Sequence, residues 1–328
     1  MPAGAGEQNY RGRRAVNIPW VTVWGFGAEV KVFGNSLFVR EKGERDAVRY
    51  PLDEVSHLLI AGDALLHTSV VGACAKHGIA VSFFDVHGKP LGSLFGNRQA
   101  VLSSAQDDVP VHSFALASIA ASVDARLRFL HELAEKRENF FYQGELAILD
   151  GARSGLEYLI TLPELGRVFM LTRNMYYEIL SRAVPAELGY RRRADSPAPD
   201  PVNALFSFGY SVLYATAALA CTGAGLDLTK GNLYGKVMPA AAGRGGCVLD
   251  IIEPALVPMV DKVVISMAES GLSDECAGTG RCVLSEEIRR AFLGRLSDSV
   301  SREAIEGNVQ EYADAVKNST AFRYHYPL

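Results

Sequence analysis

The dipeptide Asp200-Pro201 constrains this chain more than any other pair, because it sets where the most apolar segment begins. Proline presets a helical φ and has no N–H to leave unpaired, and an aspartate before it can accept from the first turn. Asp200 therefore reads as the N-cap and Pro201 as the first helical residue. From there Ala204, Leu205, Phe208, Val212, Ala215 and Leu219 recur at helical spacing. Gly209, Ala217 and Ala218 lie among them and are small enough to let another helix approach closely.

The flanks of this helix carry chemistry. Upstream stand Arg191, Arg192 and Arg193, followed by Pro197, Pro199 and Pro201, which hold the backbone extended. Downstream come the turn Gly225-Leu226-Asp227 and a glycine-rich loop through Gly231 and Gly243 to Gly246. A second helix then carries Asp250 and Glu253, three residues apart and so on one face. Two neighbouring carboxylates suit a hard cation such as Mg²⁺ or Mn²⁺, and the plain alternative is an exposed acidic face. Cations, a rigid loop and paired acids within one stretch form the layout of a site that handles a polyanion near a metal.

Two periodicities divide the rest of the chain. From Pro19 to about Phe95 the pattern is β, with turns at Gly34-Asn35 and at Gly88-Lys89 and strands around Val21–Phe33, Ser36–Arg40, Ala47–Tyr50, His57–Ile60, Ile79–Phe84 and Leu91–Leu94. A small helix is expected over Thr68–His77. From Phe114 onward the pattern is helical: Phe114–Glu135 with Arg126, Arg128 and Lys136 on its polar side, Phe140–Tyr158, Leu165–Val184, then Ser285–Asp298 with Ser285 as cap, and Ser301–Val316. The fold class is α+β, a β-rich, sandwich-like N-terminal domain followed by an all-α C-terminal domain. The expected divisions are a mobile tail over 1–17, the β-rich domain over 18–100, a polar linker over 101–112 and the helical domain over 113–328.

Composition excludes some classes. With 328 residues, 48% hydrophobic and 21% charged, the chain has room for two cores. A net charge of −4 argues against a general nucleic-acid coat, yet a local patch can still bind phosphate. The candidate patch is Arg191, Arg192, Arg193, Lys230, Lys236 and Arg244. No unbroken run of 18 apolar residues occurs, so no membrane span is expected. Five scattered cysteines without a framework point to a reducing cytoplasm. His57, His67, His77 and His87, although ten apart, fall in different elements and read as ordinary surface or turn histidines. The tail Phe322-Arg323-Tyr324-His325-Tyr326 could stack on bases, but docking on the body is the plainer reading.

In combination, the run from Arg191 through Asp200-Pro201-Val202-Asn203-Ala204-Leu205, the Gly225-Leu226-Asp227 turn and Leu249-Asp250-Ile251-Ile252-Glu253-Pro254 resemble the universal CRISPR-associated integrase/endonuclease family. Asp85 to Leu94 resembles the end of that family's N-terminal domain. The resemblance implies DNA cutting and joining during spacer acquisition, double-stranded or branched DNA as substrate, a homodimer paired through the β-rich domain, and a small companion adaptation protein. It also implies Mg²⁺ or Mn²⁺ held by a glutamate, a histidine and an acid. Matched onto this sequence, those three positions carry Phe169, Tyr234 and Glu253, with Asp250 beside the last, and the arginine expected shortly after is Val257. Phenylalanine cannot ligate, so metal binding is expected to be weak or absent. Two readings follow: a DNA-binding scaffold with a degenerate site, or an active enzyme in which Glu253 and Asp250 recruit Tyr234 or Glu178 as an improvised ligand.

Overall fold

The computed structural model describes residues 20–24, 27–85, 90–94, 101–194, 198–239, 245–272, 282 and 284–326. The expected N-terminal tail, His87, the Gly88-Lys89 turn, Pro197, Gly243 and Arg244 lie outside them. The chain forms two compact units, residues 1–99 with 222–225, and residues 100–221 with 226–328.

The first unit is built from two four-stranded sheets. One contains β1 (Trp20–Trp24), β5 (His57–Ala61), β7 (Ala80–Phe84) and β8 (Pro90–Leu94) in the order β1-β5-β7-β8. The other contains β2 (Ala28–Phe33), β3 (Ser36–Arg40), β4 (Val48–Pro51) and β6 (Ala64–Leu66) in the order β4-β3-β2-β6. Gly34-Asn35 is the two-residue turn of the β2–β3 hairpin, and Gly34 has φ 58°, which favours glycine. Alternation follows the pleat: Ala28 and Val30 are buried while Lys31 faces out. β5, which neighbours strands on both sides, is buried along its whole length. Val30, Leu37, Leu58, Ile60 and Val81 join Val70 and Cys74 of α1 (Thr68–His77) in one apolar core.

The histidines separate as their elements do. His67 caps α1 by accepting from the Ser69 backbone, and His77 lies 3.2 Å from Asp53. His57 departs from the surface expectation: it is buried in β5, with Nε2 2.8 Å from the Ser82 hydroxyl.

In the second unit α2 (Ser103–Asp108) falls inside the expected linker. Its buried Gln106 accepts from the Asp227 N–H at 2.7 Å and donates to the Asp227 carbonyl at 3.1 Å, so the stretch clamps a turn. The long helices are α3 (Val111–Ala134), α4 (Glu145–Gly155), α5 (Leu162–Leu180), α6 (Pro201–Gly223), α7 (Gly246–Ile252), α8 (Lys262–Glu269), α9 (Glu286–Ser299) and α10 (Arg302–Asn318). Glycine at 151 does not interrupt α4, and Thr161 with Glu164 forms a capping box that starts α5. Ser285 caps α9 as expected, accepting from the Ile288 N–H at 3.3 Å.

α6 begins at Pro201, and both oxygens of Asp200 are used at its start. One accepts the Asn203 N–H at 2.8 Å and the other the Asn203 side-chain amide at 2.7 Å. Asn203, fully buried, passes the constraint back by accepting from the Ala194 N–H and donating to the Arg192 carbonyl. By length and composition α6 could cross a membrane, which a search for unbroken apolar runs does not reveal, because Asn203 and Thr216 interrupt it. Most of its apolar window, 61%, is buried inside the protein.

The acid-bearing helix is not uniform. After α7 the chain tightens into a 3₁₀ turn over Glu253–Ala255 and widens into a π turn over Val257–Asp261 before α8. Pro254 and Pro258, which have no N–H to give, stand at these changes. The tail docks here: Tyr324 donates to the Asp250 carbonyl at 2.9 Å, the acceptor that Pro254 leaves vacant, and Tyr326 donates to the Ile251 carbonyl at 2.9 Å. Phe322 packs edge-on against Tyr312. Cys74, Cys221 and Cys247 are free and buried. Cys282 is disulfide-bonded, a pairing that the reading of scattered thiols in a reducing compartment did not anticipate.

Replacing Asp200 by alanine removes the α6 cap and its tie to Asn203. We expect Asp200→Ala to lose about 2 kcal/mol, read as a lower urea midpoint at unchanged slope.

Candidate functional site

The site grows from the turn after Gly231. Gly231 and Gly246 approach so closely that a Cβ on Gly246 would lie 2.0 Å from the Tyr234 carbonyl oxygen. Only glycine lets the turn sit on the start of α7. Asp250 then holds the turn from below. One of its oxygens accepts the N–H groups of Asn232 (2.5 Å) and Leu233 (3.1 Å), and the other that of Tyr234 (2.7 Å). Burial pushes its carboxyl up to about 7, against the pull of those three donors. The carboxylate expected as a second metal ligand is therefore engaged with backbone, and it aims Tyr234.

Tyr234 points its hydroxyl at Glu253, donating to Oε2 at 2.5 Å. Burial, reinforced by the Glu253 carboxylate, raises the phenol well above its usual value and keeps it a donor. The other Glu253 oxygen is taken by Arg126 of α3 in a buried ion pair. Asp250 and Glu253 are thus not an exposed acidic face; both are below 4% exposed. Arg126 is not on the polar side of its helix either, being 3% exposed. Burial, the largest single influence, works against its charge, but Glu253 together with the Tyr177 and Tyr234 phenols outweighs it and keeps the guanidinium protonated. It lies over the rings of Phe169 (5.5 Å) and Tyr176 (5.7 Å) of α5.

Phe169 is fully buried and meets Tyr234 edge-on, ring centres 5.9 Å apart. The three positions singled out in sequence as family ligand positions, 169, 234 and 253, therefore converge in space, through one aromatic contact and one hydrogen bond. Val257 is buried in the π turn.

A third carboxylate, unnoticed in the sequence, completes the site. Asp261 is fully buried at the end of the π turn. It accepts from Tyr176 at 2.7 Å and Tyr210 at 2.6 Å, and the Tyr177 and Tyr210 hydroxyls lie 2.7 Å apart. Burial raises its carboxyl to about 7 while the two phenols pull it down. The available signal was a lone acid in the apolar run Val257-Pro258-Met259-Val260-Asp261.

The candidate phosphate patch does not stay together as one exposed surface. Arg191, Arg192 and Lys236 are exposed. Arg193 is turned inward, donating to Asn203 at 3.1 Å and Ser207 at 3.0 Å and lying 5.5 Å from the Tyr210 ring. Lys230 is paired internally with Asp107 and the Ser103 carbonyl. Glu178, the improvised ligand considered in sequence, is exposed.

Over residues 21–298 the chain matches the family model for CRISPR associated protein Cas1. It belongs to the Cas1 family. A putative CRISPR-associated endonuclease Cas1 of Methanospirillum hungatei is 29% identical over 309 residues, covering 91% of this chain and 98% of that relative. The Cas1 fold is shared with a partial Cas6-RT-Cas1–Cas2 complex (TM-score 0.76, 18% identity, 96% of this chain and 100% of that one). It is shared as well with a casposase bound to integration product (TM-score 0.72, 20% identity, 95% and 100%).

Among the described residues no three His, Cys, Asp or Glu side chains are grouped to hold a metal ion. Glu253 is neutralised by Arg126, the Asp250 oxygens face N–H donors, and Phe169 offers no lone pair. These residues do not fit Mg²⁺ or Mn²⁺, which need several free oxygen ligands around them.

Two outcomes test this geometry. Arg126→Met should cost about 3–5 kcal/mol in urea unfolding by stranding Glu253, and the double change with Glu253→Gln should recover much of it. Asp261 has a folded value raised from 3.8 to about 7, so its contribution to stability is greatest at low pH and is lost as pH rises through about 7. The melting temperature should fall as pH rises from about 4 to about 7, and Asp261→Asn should make that fall smaller.

Proposed function

We propose that this Cas1-family protein is a DNA-binding, non-catalytic subunit of CRISPR adaptation, its metal site replaced by a buried protein-only network. The observation that carries this reading is the fate of Glu253. The one acid remaining at a family ligand position has one oxygen on Arg126 and the other on Tyr234. A guanidinium supplies there the positive charge that a metal ion would otherwise bring, and no step of strand cleavage or transfer is routed through this site. Asp250 is a positioning residue for the Tyr234 turn.

DNA contact is assigned to the exposed cations Arg191, Arg192 and Lys236, with Arg244 of the same patch outside the described residues. Phosphate contacts of this kind position a duplex without reading its sequence. The proposal includes a homodimer formed through the β-rich unit and a small companion protein bridging dimers. The Cas1–Cas2 assembly among its structural neighbours supports the companion, and the casposase product complex supports DNA contact.

Branched and duplex DNA incubated with the purified protein and Mn²⁺ should be bound but neither cut nor joined. A metal-dependent product that disappears with EDTA and in Glu253→Gln would instead establish an active enzyme with rerouted ligands. Restoring ligands must also remove the resident cation. Phe169→Glu with Tyr234→His and Arg126→Leu should bind Mn²⁺ in calorimetry, whereas the same pair of changes with Arg126 retained should bind it at least tenfold more weakly.

A further inference from the structure

Arg173 stands in the same network and, among the described residues, forms no ion pair of its own. It lies on α5, one turn after Phe169 and one turn before Tyr177, whose ring is 5.7 Å from its guanidinium carbon. Its Nε is buried without a partner, and among the described residues no carboxylate or carbonyl accepts from its guanidinium. The acid that acts on it electrostatically, Glu253, is already committed, and so is the neighbouring Asp261. Glu253 is held by Arg126 and Tyr234, and Asp261 by Tyr176 and Tyr210. Burial opposes the charge on Arg173, but the surrounding phenols and the Glu253 carboxylate outweigh it, so it stays a cation. An arginine carries five N–H donors in a planar fork. The buried Nε donor is left unmatched, which is costly, and the terminal N–H groups beside it remain open to an acceptor that a ligand supplies.

The neighbourhood indicates which ligand. Tyr190 packs on Phe206 and donates to the Tyr177 carbonyl at 3.4 Å, which brings the chain leading into exposed Arg191 and Arg192 beside the Arg173 turn of α5. Arg193 lies against Tyr210, whose hydroxyl meets that of Tyr177. Arg173 and Arg193 thus flank one hydrogen-bonded tyrosine pair, and the exposed arginines continue from it. The strip has the geometry for a run of phosphates, since the guanidinium fork matches two phosphate oxygens.

We propose that Arg173 seats a DNA phosphodiester directly, so that this protein holds the strand at the former metal site through a guanidinium and without any metal ion. This rests on the DNA-binding reading above and extends it: a site that elsewhere in the family takes a cation would here take an anion.

The test is DNA binding by fluorescence anisotropy on a labelled branched duplex, titrated across salt in EDTA and again in Mg²⁺. Wild type should bind equally in both. Arg173→Gln and Arg173→Met, the second keeping an apolar stem against Tyr177, should each bind several-fold more weakly. Each should also show a salt slope shallower by about 0.9, the value for one lost phosphate contact. Lys317→Gln, an exposed lysine at the end of α10, should match wild type in both affinity and slope. Melting curves establish that each variant is folded, and whichever neutral variant folds gives the reading. Wild-type binding in EDTA with variants of unchanged affinity and slope would overturn the Arg173 assignment and leave the DNA-binding function standing. Binding that vanishes in EDTA would overturn metal independence. Failure of the wild type to bind DNA under either condition would remove the functional reading itself.

Discussion

A buried ion pair holds the centre of the helical unit together. Arg126 and Glu253 are 127 residues apart in sequence and both are nearly inaccessible. Placing two such charges out of water costs several kcal/mol each, and their mutual attraction repays it only where the surrounding contacts are good. Here the guanidinium is also flanked by the faces of Phe169 and Tyr176, and the carboxylate accepts a second bond from Tyr234. α3, α5, the Gly231 turn and the 3₁₀ turn at Glu253 are thereby fixed to one point. The tie is made by the chain's own arginine.

The acids around that pair have separate tasks. Asp250 is consumed by three backbone donors and sets the direction of Tyr234. Asp261 binds two phenols and joins α5 and α6 to the π turn. The C-terminal tail closes the arrangement by supplying Tyr324 and Tyr326 to carbonyls of α7, one of which has no helical donor because Pro254 follows at the required spacing. The unusual helix geometry between residues 253 and 261 is what allows Glu253 and Asp261, eight residues apart, to serve one buried network.

Much of the architecture was legible before any coordinates. Local rules decide it: Asp200 with Pro201 begins α6, Ser285 caps α9, and Gly34-Asn35 closes the β2–β3 hairpin, each within a few residues of chain. The α+β order follows from a switch of apolar period near residue 100. Where local rules competed with long-range packing they failed. His57, at the head of an expected strand, reads as a surface or turn histidine but is buried, and Arg126 has the spacing of a solvent-facing residue but points into the core.

The sequence by itself determined that Phe169, Tyr234 and Glu253 stand at the positions that the resemblance matches to family ligands, because motif order is carried by neighbours along the chain. It also determined that these residues are a poor set for a metal ion, since ligating ability is a property of side-chain type. Only the tertiary structure decided which partners these side chains meet. The partner of Glu253 comes from a helix 127 residues away, the partners of Asp261 from α5 and α6, and the free donors of Arg173 are recognisable only once every nearby acceptor is seen to be engaged. Such pairings depend on which faces of distant helices meet, and no local periodicity encodes that.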